Sequence, residues 1–271
     1  AAPGQELKNC TVSVNDLKDG QGHTISARNV KWHQVGFVLM EELSRHPALP
    51  DAAPGWWPDP LLPVSKFDLP GGVTQSVWFT VYAPPKTPAG IYSGEVVIRP
   101  EGTAEVRVPV RARVYGFDLP IQSHLKTAFA LMDGFLEKIY GPLTPELRQA
   151  YGDYVLERRL NPDDISRTDP PAIEDLEHYA KRGLNAFNII NMVEPRGERT
   201  WVCYSDPKVY TPEFKAYLIR RLDPYVEELR KRGLLDKAYV YTFDERGKEF
   251  YPIIKEYFGM IKERYGIPTL T

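Results

Sequence analysis

The stretch Lys237-Ala-Tyr-Val-Tyr-Thr-Phe-Asp-Glu-Arg246 decides how the second half of the chain is interpreted. It is short, mostly apolar, rich in aromatic and β-branched residues, and it ends at two adjacent carboxylates, Asp244 and Glu245. Such a run is typical of a buried strand. Acidic side chains directly after a buried parallel strand are typical of the rim of an α/β barrel that carries the active site. The stretch therefore predicts a barrel strand ending in a candidate catalytic pair.

Alternating strand and helix patterns surround this stretch from about residue 122 onward. Two helices are predicted to begin at Thr144-Pro-Glu146 and Thr211-Pro-Glu213, because each has a hydroxyl cap, a proline in the first position and an acid in the first turn. The alternation predicts a parallel βα array in which the Asp-Glu strand is the fourth and Ile267 begins a fifth. A closed barrel needs eight strands. Three readings stay open: a fragment, a partner chain that completes the barrel, or an open sheet.

The first 121 residues show a different, strand-rich pattern. Residues 105–114 alternate, with valines and an alanine on one face and Arg107, Arg111 and Arg113 on the other, which indicates a half-buried strand with a solvated arginine face. Residues 29–40 form a long apolar run, and residues 36–45 also fit a helical period. Gly and Pro turn signals separate these runs. We predict a multidomain β plus α/β protein: an antiparallel β-sandwich over residues 1–121, then the first four to five strands of a (β/α)8 barrel over residues 122–271.

Charge and composition exclude several kinds of partner. The chain has 271 residues and a formal net charge of -2, with no Lys/Arg block, so neither nucleic acid nor an anionic membrane is indicated. No apolar run reaches the roughly 18–20 residues of a membrane span. Cys10 and Cys203 lie far apart without metal-ligand spacing, which predicts two separate thiols. The start Ala-Ala-Pro-Gly-Gln resembles what signal cleavage or trimming leaves, and a secreted or periplasmic location is favoured.

Several segments resemble glycoside hydrolase family 123. They are Val240-Tyr-Thr-Phe-Asp-Glu245, Trp57-Pro-Asp-Pro-Leu-Leu-Pro63, Pro88-Ala-Gly-Ile-Tyr-Ser-Gly-Glu-Val96 and Leu156-Glu-Arg-Arg-Leu-Asn-Pro162. That family comprises β-N-acetylgalactosaminidases and their relatives, with a β-sandwich followed by a (β/α)8 barrel. The resemblance covers most of this chain and the first half of the family's barrel.

The resemblance implies a role for each carboxylate. Glu245 matches the general acid that protonates the glycosidic oxygen and then activates water, and Asp244 matches the acceptor for the N–H of the substrate's 2-acetamido group. The acetamido oxygen then attacks the anomeric carbon, so the substrate supplies its own nucleophile. The implied substrate is a glycan or glycoconjugate with a terminal β-linked N-acetylhexosamine, N-acetylgalactosamine being favoured. No metal or organic cofactor is implied.

Other interpretations of the carboxylate pair are open. In the first, the two acids lie at the N-terminus of the following helix and interact favourably with its dipole, without a catalytic role. A conventional retaining glycosidase would carry its nucleophile on a later strand, and a non-catalytic carbohydrate-binding or scaffold protein would keep the fold alone. Neighbouring residues on a strand point to opposite faces. Both acids therefore reach one pocket only if the backbone leaves strand geometry there, which the strand's end just before Arg246-Gly247 permits.

A second set of polar and aromatic residues follows the predicted strands at the same rim, and we expect them to contact the substrate. Helix capping, turn closure or packing under a loop is the alternative for each of them. The predicted substrate-binding residues are Asn161, Asp163, Asn191, Trp201 and Tyr204; Asp133, Asp164 and Glu194 have similar positions.

Overall fold

The protein, represented by a computed structural model, is described over residues 1–42, 53–192 and 203–271. It divides into two compact units, residues 1–119 and residues 120–271. The division after Leu119 lies two residues before the expected one after Ile121.

The first unit is built from antiparallel strands. One sheet has the order β3-β2-β8-β1-β6 with β9 on the other edge of β8, and a second sheet has the order β5-β4-β7. The strands are β1 (Leu7–Val14), β2 (Leu17–Lys18), β3 (Thr24–Ile25), β4 (Val30–Met40), β5 (Gly55–Leu62), β6 (Phe67–Leu69), β7 (Val77–Val81), β8 (Gly90–Arg99) and β9 (Val106–Val114).

Side chains from both sheets share one apolar cluster. Tyr92 on β8, Leu17 on β2 and Ile25 on β3 are buried at its centre. Val30 on β4 and Val81 on β7 pack against them from the second sheet. Burial of these side chains therefore stabilises the two sheets against each other.

Strand β9 has the predicted half-buried face over its second half, whereas Val106 and Val108 on the same face are exposed. Val110, Ala112 and Val114 are half-buried against the Tyr92 cluster, whereas Arg107 is exposed. The Arg107 guanidinium lies 2.9 Å from a Glu95 carboxylate oxygen on the neighbouring strand. The arginine face is thus solvated and paired with surface acids, which contributes little to stability.

The helical alternative for residues 36–45 is wrong over its described part, because β4 runs through Gly36 to Met40. The register between β4 and β5 shifts between Val35 and Phe37, where Gly36 alone lies opposite Asp59 and Pro60, which marks a bulge in β5. A Cβ atom at Gly36 would lie 2.7 Å from Pro60 Cγ, so glycine permits this close approach. Strand β5 contains Pro58 and Pro60, which an edge strand tolerates.

The second unit alternates short parallel strands with helices. Strand β11 pairs with β10, and β13 pairs with β12 on one side and β14 on the other, all in parallel. The elements are β10 (Phe129–Ala130), α1 (Asp133–Tyr140), α2 (Pro145–Leu156), β11 (Pro162–Asp163), α3 (Ile173–Ala180), β12 (Phe187–Asn188), α4 (Pro212–Lys231), β13 (Ala238–Tyr241), α5 (Tyr251–Tyr265) and β14 (Thr269–Leu270).

The predicted parallel array is confirmed, with two corrections. The strands are shorter than the sequence runs indicated; the first has two residues where residues 125–132 were expected. Helix α1 was not predicted, because its eight residues follow the strand directly and contain Gly134. Strand order nevertheless follows chain order within each parallel group, and β13 is the fourth parallel strand along the chain.

The helix ends have the predicted chemistry. The Thr144 hydroxyl accepts a hydrogen bond from Leu147 N at 3.2 Å, and the Thr211 hydroxyl accepts one from Phe214 N at 3.2 Å. Gly266 ends α5 with a φ of 72°, a conformation that glycine adopts without steric cost. Helix α4 buries one stripe of side chains in the core of this unit: Phe214, Leu218, Leu222, Val226 and Leu229.

Side chains join β11 to β12, which share no backbone ladder among the described residues. Asn161 Nδ2 donates to Asn185 Oδ1 at 2.7 Å, and Asn185 N donates to Asn161 Oδ1 at 3.0 Å. Both residues are only 3% exposed. The side-chain nitrogen Asn185 Nδ2 also donates to Ser123 O at 2.6 Å. A reciprocal amide pair therefore replaces the strand ladder at this position.

We predict that Asn185→Ala lowers the free energy of unfolding by about 1–3 kcal/mol, because Asn161 Nδ2 loses one of its two acceptors and Ser123 O loses a donor. Urea denaturation measures the loss. Asn15→Ala, at an exposed position, is the control and should change stability by less than about 0.5 kcal/mol. Equal stability of the two variants would contradict the bridging role.

A second stability prediction concerns two helical glycines. A methyl group at Gly152 on α2 would overlap the Tyr179 ring on α3, whereas one at Gly259 on α5 meets no atom within 4 Å. Gly152→Ala should therefore destabilise by about 1–3 kcal/mol through overpacking. Gly259→Ala should stabilise by about 0.5–1 kcal/mol through helix propensity. Thermal denaturation of both variants checks the opposite signs.

Candidate functional site

The backbone leaves strand geometry at the carboxylate pair. Strand β13 ends at Tyr241, and Phe243 and Glu245 have φ values of 60° and 51°. This left-handed conformation costs a non-glycine residue roughly 1–2 kcal/mol. Asp244 and Glu245 are both exposed. Asp244 and Glu245 therefore do not follow strand geometry, in which neighbouring side chains point to opposite faces.

Packing and hydrogen bonds around Phe243 hold this conformation. The Phe243 side chain is fully buried, with its ring centroid 5.2 Å from that of Tyr210 and 5.7 Å from that of Phe258. Its carbonyl oxygen accepts a hydrogen bond from the Thr271 hydroxyl at 2.8 Å. The buried ring anchors the residue before the pair, so the turn presents the two carboxylates outward.

The Tyr241 phenol, at the end of β13, lies near the carboxylate pair. Burial and the neighbouring carboxylates of Asp244 and Glu245 raise the pKa of Tyr241 to about 12. The phenol therefore stays protonated near neutral pH and carries a donor proton beside the pair.

A guanidinium lies next to the pair. Arg246 Nε donates to Cys203 Sγ at 2.8 Å, and the guanidinium carbon lies 5.7 Å from the centre of the Phe250 ring. Burial raises the pKa of the Cys203 thiol, while the Arg246 hydrogen bond opposes that shift. Cys203 and Cys10 are both free and buried, which confirms the prediction of separate thiols.

Asp163 is the centre of a buried polar network behind the rim. The residue is 2% exposed, and its carboxylate accepts hydrogen bonds from Tyr239 OH at 2.6 Å, Asn188 N at 2.8 Å and Arg167 Nη2 at 3.0 Å. Burial raises the pKa of Asp163, while the charge of Arg167 and the hydrogen bonds act to lower it. Asn188 Oδ1 in turn accepts from Tyr241 N at 3.0 Å. The network connects the second, third and fourth parallel strands.

The other predicted substrate-binding residues have different surroundings. Asn161 is buried in the amide pair with Asn185, so its polar atoms, like those of Asp163, already have protein partners. Asn191 is fully buried, and its Nδ2 atom has no hydrogen-bond partner among the described residues. Tyr204 is half-buried, and its ring centroid lies 5.8 Å from that of Phe214. Trp201 and Glu194 lie outside the described residues.

A cavity of about 370 Å³ lies beside the carboxyl ends of β10 and β11, and Asp133, Asp163 and Asp164 are among its lining residues. Asp244 and Glu245 do not line it. Arg148, another lining residue, donates to Asp133 Oδ2 at 2.8 Å. The structure thus brings these rim acids together at a place separate from the carboxylate pair.

Sequence reasoning missed the residues that support the pair, namely Tyr239, Tyr241, Asn185 and Asn188. Two signals could have indicated them. The tyrosines recur two residues apart, which places them on one face of a strand. The asparagines interrupt an otherwise apolar run, and a polar residue in such a run needs a buried partner.

The described part of the chain shows neither a metal site nor a membrane-crossing helix. No three His, Cys, Asp or Glu side chains converge there in a way that could hold a metal ion. No described helix is both long and apolar enough to cross a bilayer.

Comparisons with known proteins give a family model and a solved structure. Residues 2–100 match the glycoside hydrolase 123 N-terminal domain. The fold matches that of a family 123 glycoside hydrolase from Clostridium perfringens, described in connection with glycolipid glycan hydrolysis, with a TM-score of 0.66 and 12% sequence identity. The match covers 96% of this chain and 54% of that one, so the chain spans about half the length of the solved structure. No curated protein matches the sequence.

The family match lies over the antiparallel first unit, while the structural match extends over most of both units. At 12% identity the structural match speaks for the fold rather than the activity. Together the two findings confirm the resemblance seen in the sequence: residues 2–100 match the N-terminal domain of glycoside hydrolase family 123, and the fold is similar to that of a family 123 enzyme.

Proposed function

We propose that the protein carrying this chain is a glycoside hydrolase that removes a terminal β-linked N-acetylhexosamine, with N-acetylgalactosamine favoured, by substrate-assisted hydrolysis with retention of configuration. One observation carries the proposal. Asp244 and Glu245 are adjacent, exposed and set in a left-handed turn at the end of a parallel strand, in a chain with the family 123 fold. In the proposed architecture, a β-sandwich precedes the first four to five strands of a (β/α)8 barrel whose rim holds this pair.

The first proposed step forms the covalent ring within the substrate. Glu245 gives its proton to the glycosidic oxygen while the acetamido carbonyl oxygen attacks the anomeric carbon, and the bond to the leaving group breaks. Asp244 accepts a hydrogen bond from the acetamido N–H, which orients the carbonyl oxygen and stabilises the positive charge that develops on the oxazolinium ring. Because the nucleophile belongs to the substrate, the scheme departs from the usual two-carboxylate pattern.

The second proposed step reverses the proton transfer. Glu245, now a carboxylate, takes a proton from water as the water oxygen attacks the anomeric carbon. The oxazolinium ring opens and the acetamido group is restored. Two inversions at the same carbon give net retention, and neither step calls for a cofactor.

The proposed sugar contacts follow from the placement of the rim residues. The unpartnered Asn191 Nδ2 is a donor that a substrate oxygen would satisfy, and an unpaired buried donor costs about 1–3 kcal/mol. Tyr204, which is half-buried, and Trp201, which lies outside the described residues, complete the proposed set. The structure favours a supporting role over direct sugar contact for Asn161 and Asp163, since both are buried and hydrogen-bonded within the protein.

Replacing the proposed acid gives the first functional test. Glu245→Gln should lower kcat by about 10²–10⁴-fold on a substrate with a poor leaving group, because no proton reaches the glycosidic oxygen. The loss should shrink on a dinitrophenyl glycoside, whose leaving group needs no proton. Glu249→Gln, at an exposed residue four positions later, is the matched control and should retain activity. Near-normal turnover of Glu245→Gln on the poor leaving group would refute the acid role.

A pair of substrates tests assistance by the acetamido group. We expect an aryl 2-acetamido-2-deoxy-β-galactoside to be hydrolysed at least roughly 10⁴-fold faster, by kcat/KM, than the aryl β-galactoside that lacks the acetamido group. The missing group removes both the nucleophile and the partner of Asp244. Equal hydrolysis of the two would contradict substrate assistance and favour a nucleophile elsewhere in the protein. Absence of hydrolysis of either would favour a binding or scaffold role.

A further inference from the structure

We propose that the outer face of the sheet β5-β4-β7 is the contact surface of a homodimer. Two copies of this face pack against each other about a two-fold axis, with their β4 strands antiparallel. The face belongs to the first unit alone, so the proposal is independent of the carboxylate pair and of the reaction proposed for it.

Cross-strand pairing shows which side chains of this sheet point outward. Residues directly opposite each other on antiparallel strands share a face, and successive residues of one strand alternate between faces. Trp32 on β4 lies opposite Phe79 on β7, and its ring centroid is 6.4 Å from that of Phe67 in the first sheet. Trp32 and Phe79 therefore face inward. The neighbouring pair, His33 and Trp78, lies on the outer face.

The outer face is apolar over most of its length. Leu61 lies opposite Val35 on this side, and Trp56 lies opposite Leu39. The bulge is in β5, so the alternation along β4 continues past Gly36. Trp56 and Trp78 are 67% and 54% exposed. Exposed apolar side chains from three strands thus share one surface: Phe37, Leu39, Trp56, Leu61 and Trp78.

The size of this patch suits a contact between two copies. An aromatic side chain offers roughly 150–250 Å², so the exposed parts of Phe37, Trp56 and Trp78 amount to roughly 250–400 Å². The two leucines and the polar residues at the ends of β4 enlarge the patch toward the ~800 Å² per partner that a standard interface buries. Monomeric proteins rarely expose contiguous apolar patches larger than a few hundred Å².

The edge of the sheet at β5 is a poor place for a second copy to add a strand. Pro58 and Pro60 lie in this strand, and neither has the N–H group that a further strand would need. The face carries no such obstacle. Two sheets that meet face to face pack about 10 Å apart, as the layers of a β-sandwich do.

Charges at the two ends of β4 favour an antiparallel arrangement. Lys31 lies on the outer face near the start of the strand, and Glu41 follows its end on the same side by alternation. Both are exposed, and neither forms an ion pair within the described part of the chain. They lie equally far along the strand from Gly36, so a two-fold axis there brings Lys31 of each copy to Glu41 of the other. Parallel strands would bring like charges together.

Two neighbouring tryptophans on opposite faces of β5 give a matched test of the contact. Trp57 lies opposite Val38, on the other side of the strand from Trp56. Sedimentation equilibrium of the full chain should show a dimer. Trp56→Ser should raise the dimer Kd by about thirtyfold or more, as loss of a tryptophan at the centre of an interface does. Trp57→Ser is the control and should change Kd by less than about threefold.

A charge exchange tests the antiparallel arrangement. Lys31→Glu should raise Kd by about tenfold or more, because it places carboxylates against each other at both ends of the contact. Glu41→Lys should have a similar effect through paired cations. The variant with both changes should return to within about threefold of the wild type, because opposite charges meet again. Losses that multiply in the double variant would overturn the proposed arrangement.

Three other results would contradict the dimer. A protein that stays monomeric at about 100 μM overturns it, since interfaces of standard size reach micromolar affinity or better. A dimer that Trp56→Ser leaves unchanged uses a different surface, which also overturns the proposal. The third result is a monomer whose tryptophan fluorescence changes on titration with an N-acetylglucosamine oligosaccharide, because a glycan rather than a second copy then covers the face.

Discussion

Side-chain hydrogen bonds connect the second and third parallel strands of the chain, and the position of the site depends on this connection. The Asn161–Asn185 amide pair holds one end of it, and the hydrogen bond from Asn188 N to Asp163 holds the other. Strands of two residues have few backbone groups to offer a neighbour, so their register needs another source of specificity. Buried amide and carboxylate hydrogen bonds supply it, because any slip would leave several of them unsatisfied in a low-dielectric core.

A locally unfavourable backbone is stabilised by its surroundings at the next strand. The left-handed conformations of Phe243 and Glu245 cost free energy, but the buried Phe243 ring packs against Tyr210, Phe250 and Phe258. Burial of a phenylalanine side chain contributes about 1.5–3 kcal/mol, which offsets a large part of the local cost. Strain of this kind persists only where packing over-determines it. The aromatic cluster thus connects the core of the second unit to the presentation of Asp244 and Glu245.

The sequence predicted what depends on local pattern. Thr144 and Thr211 begin helices, the valines and arginines of β9 take opposite faces, and the Asp244–Glu245 pair follows a buried strand. It did not predict that Asn161 and Asn185, 24 residues apart, would pair. Hydrophobic periodicity indicates only which face of a helix or strand is apolar, so it does not identify the distant partners of buried polar groups. Strand lengths were overestimated for the same reason, since an apolar run continues beyond the residues that find a ladder partner.

The adjacency of the two acids has a mechanical consequence for the proposed reaction. Acids on different strands change their separation whenever the strands shift, whereas Asp244 and Glu245 share one peptide unit and a turn held by Phe243. Their relative position depends on a few dihedral angles in a packed turn. The remaining freedom is that of the turn as a whole against the rim, and the hydrogen bond from Tyr241 N to Asn188 Oδ1, at the end of β13, limits it. A contact that fixes this turn therefore fixes Asp244 and Glu245 together.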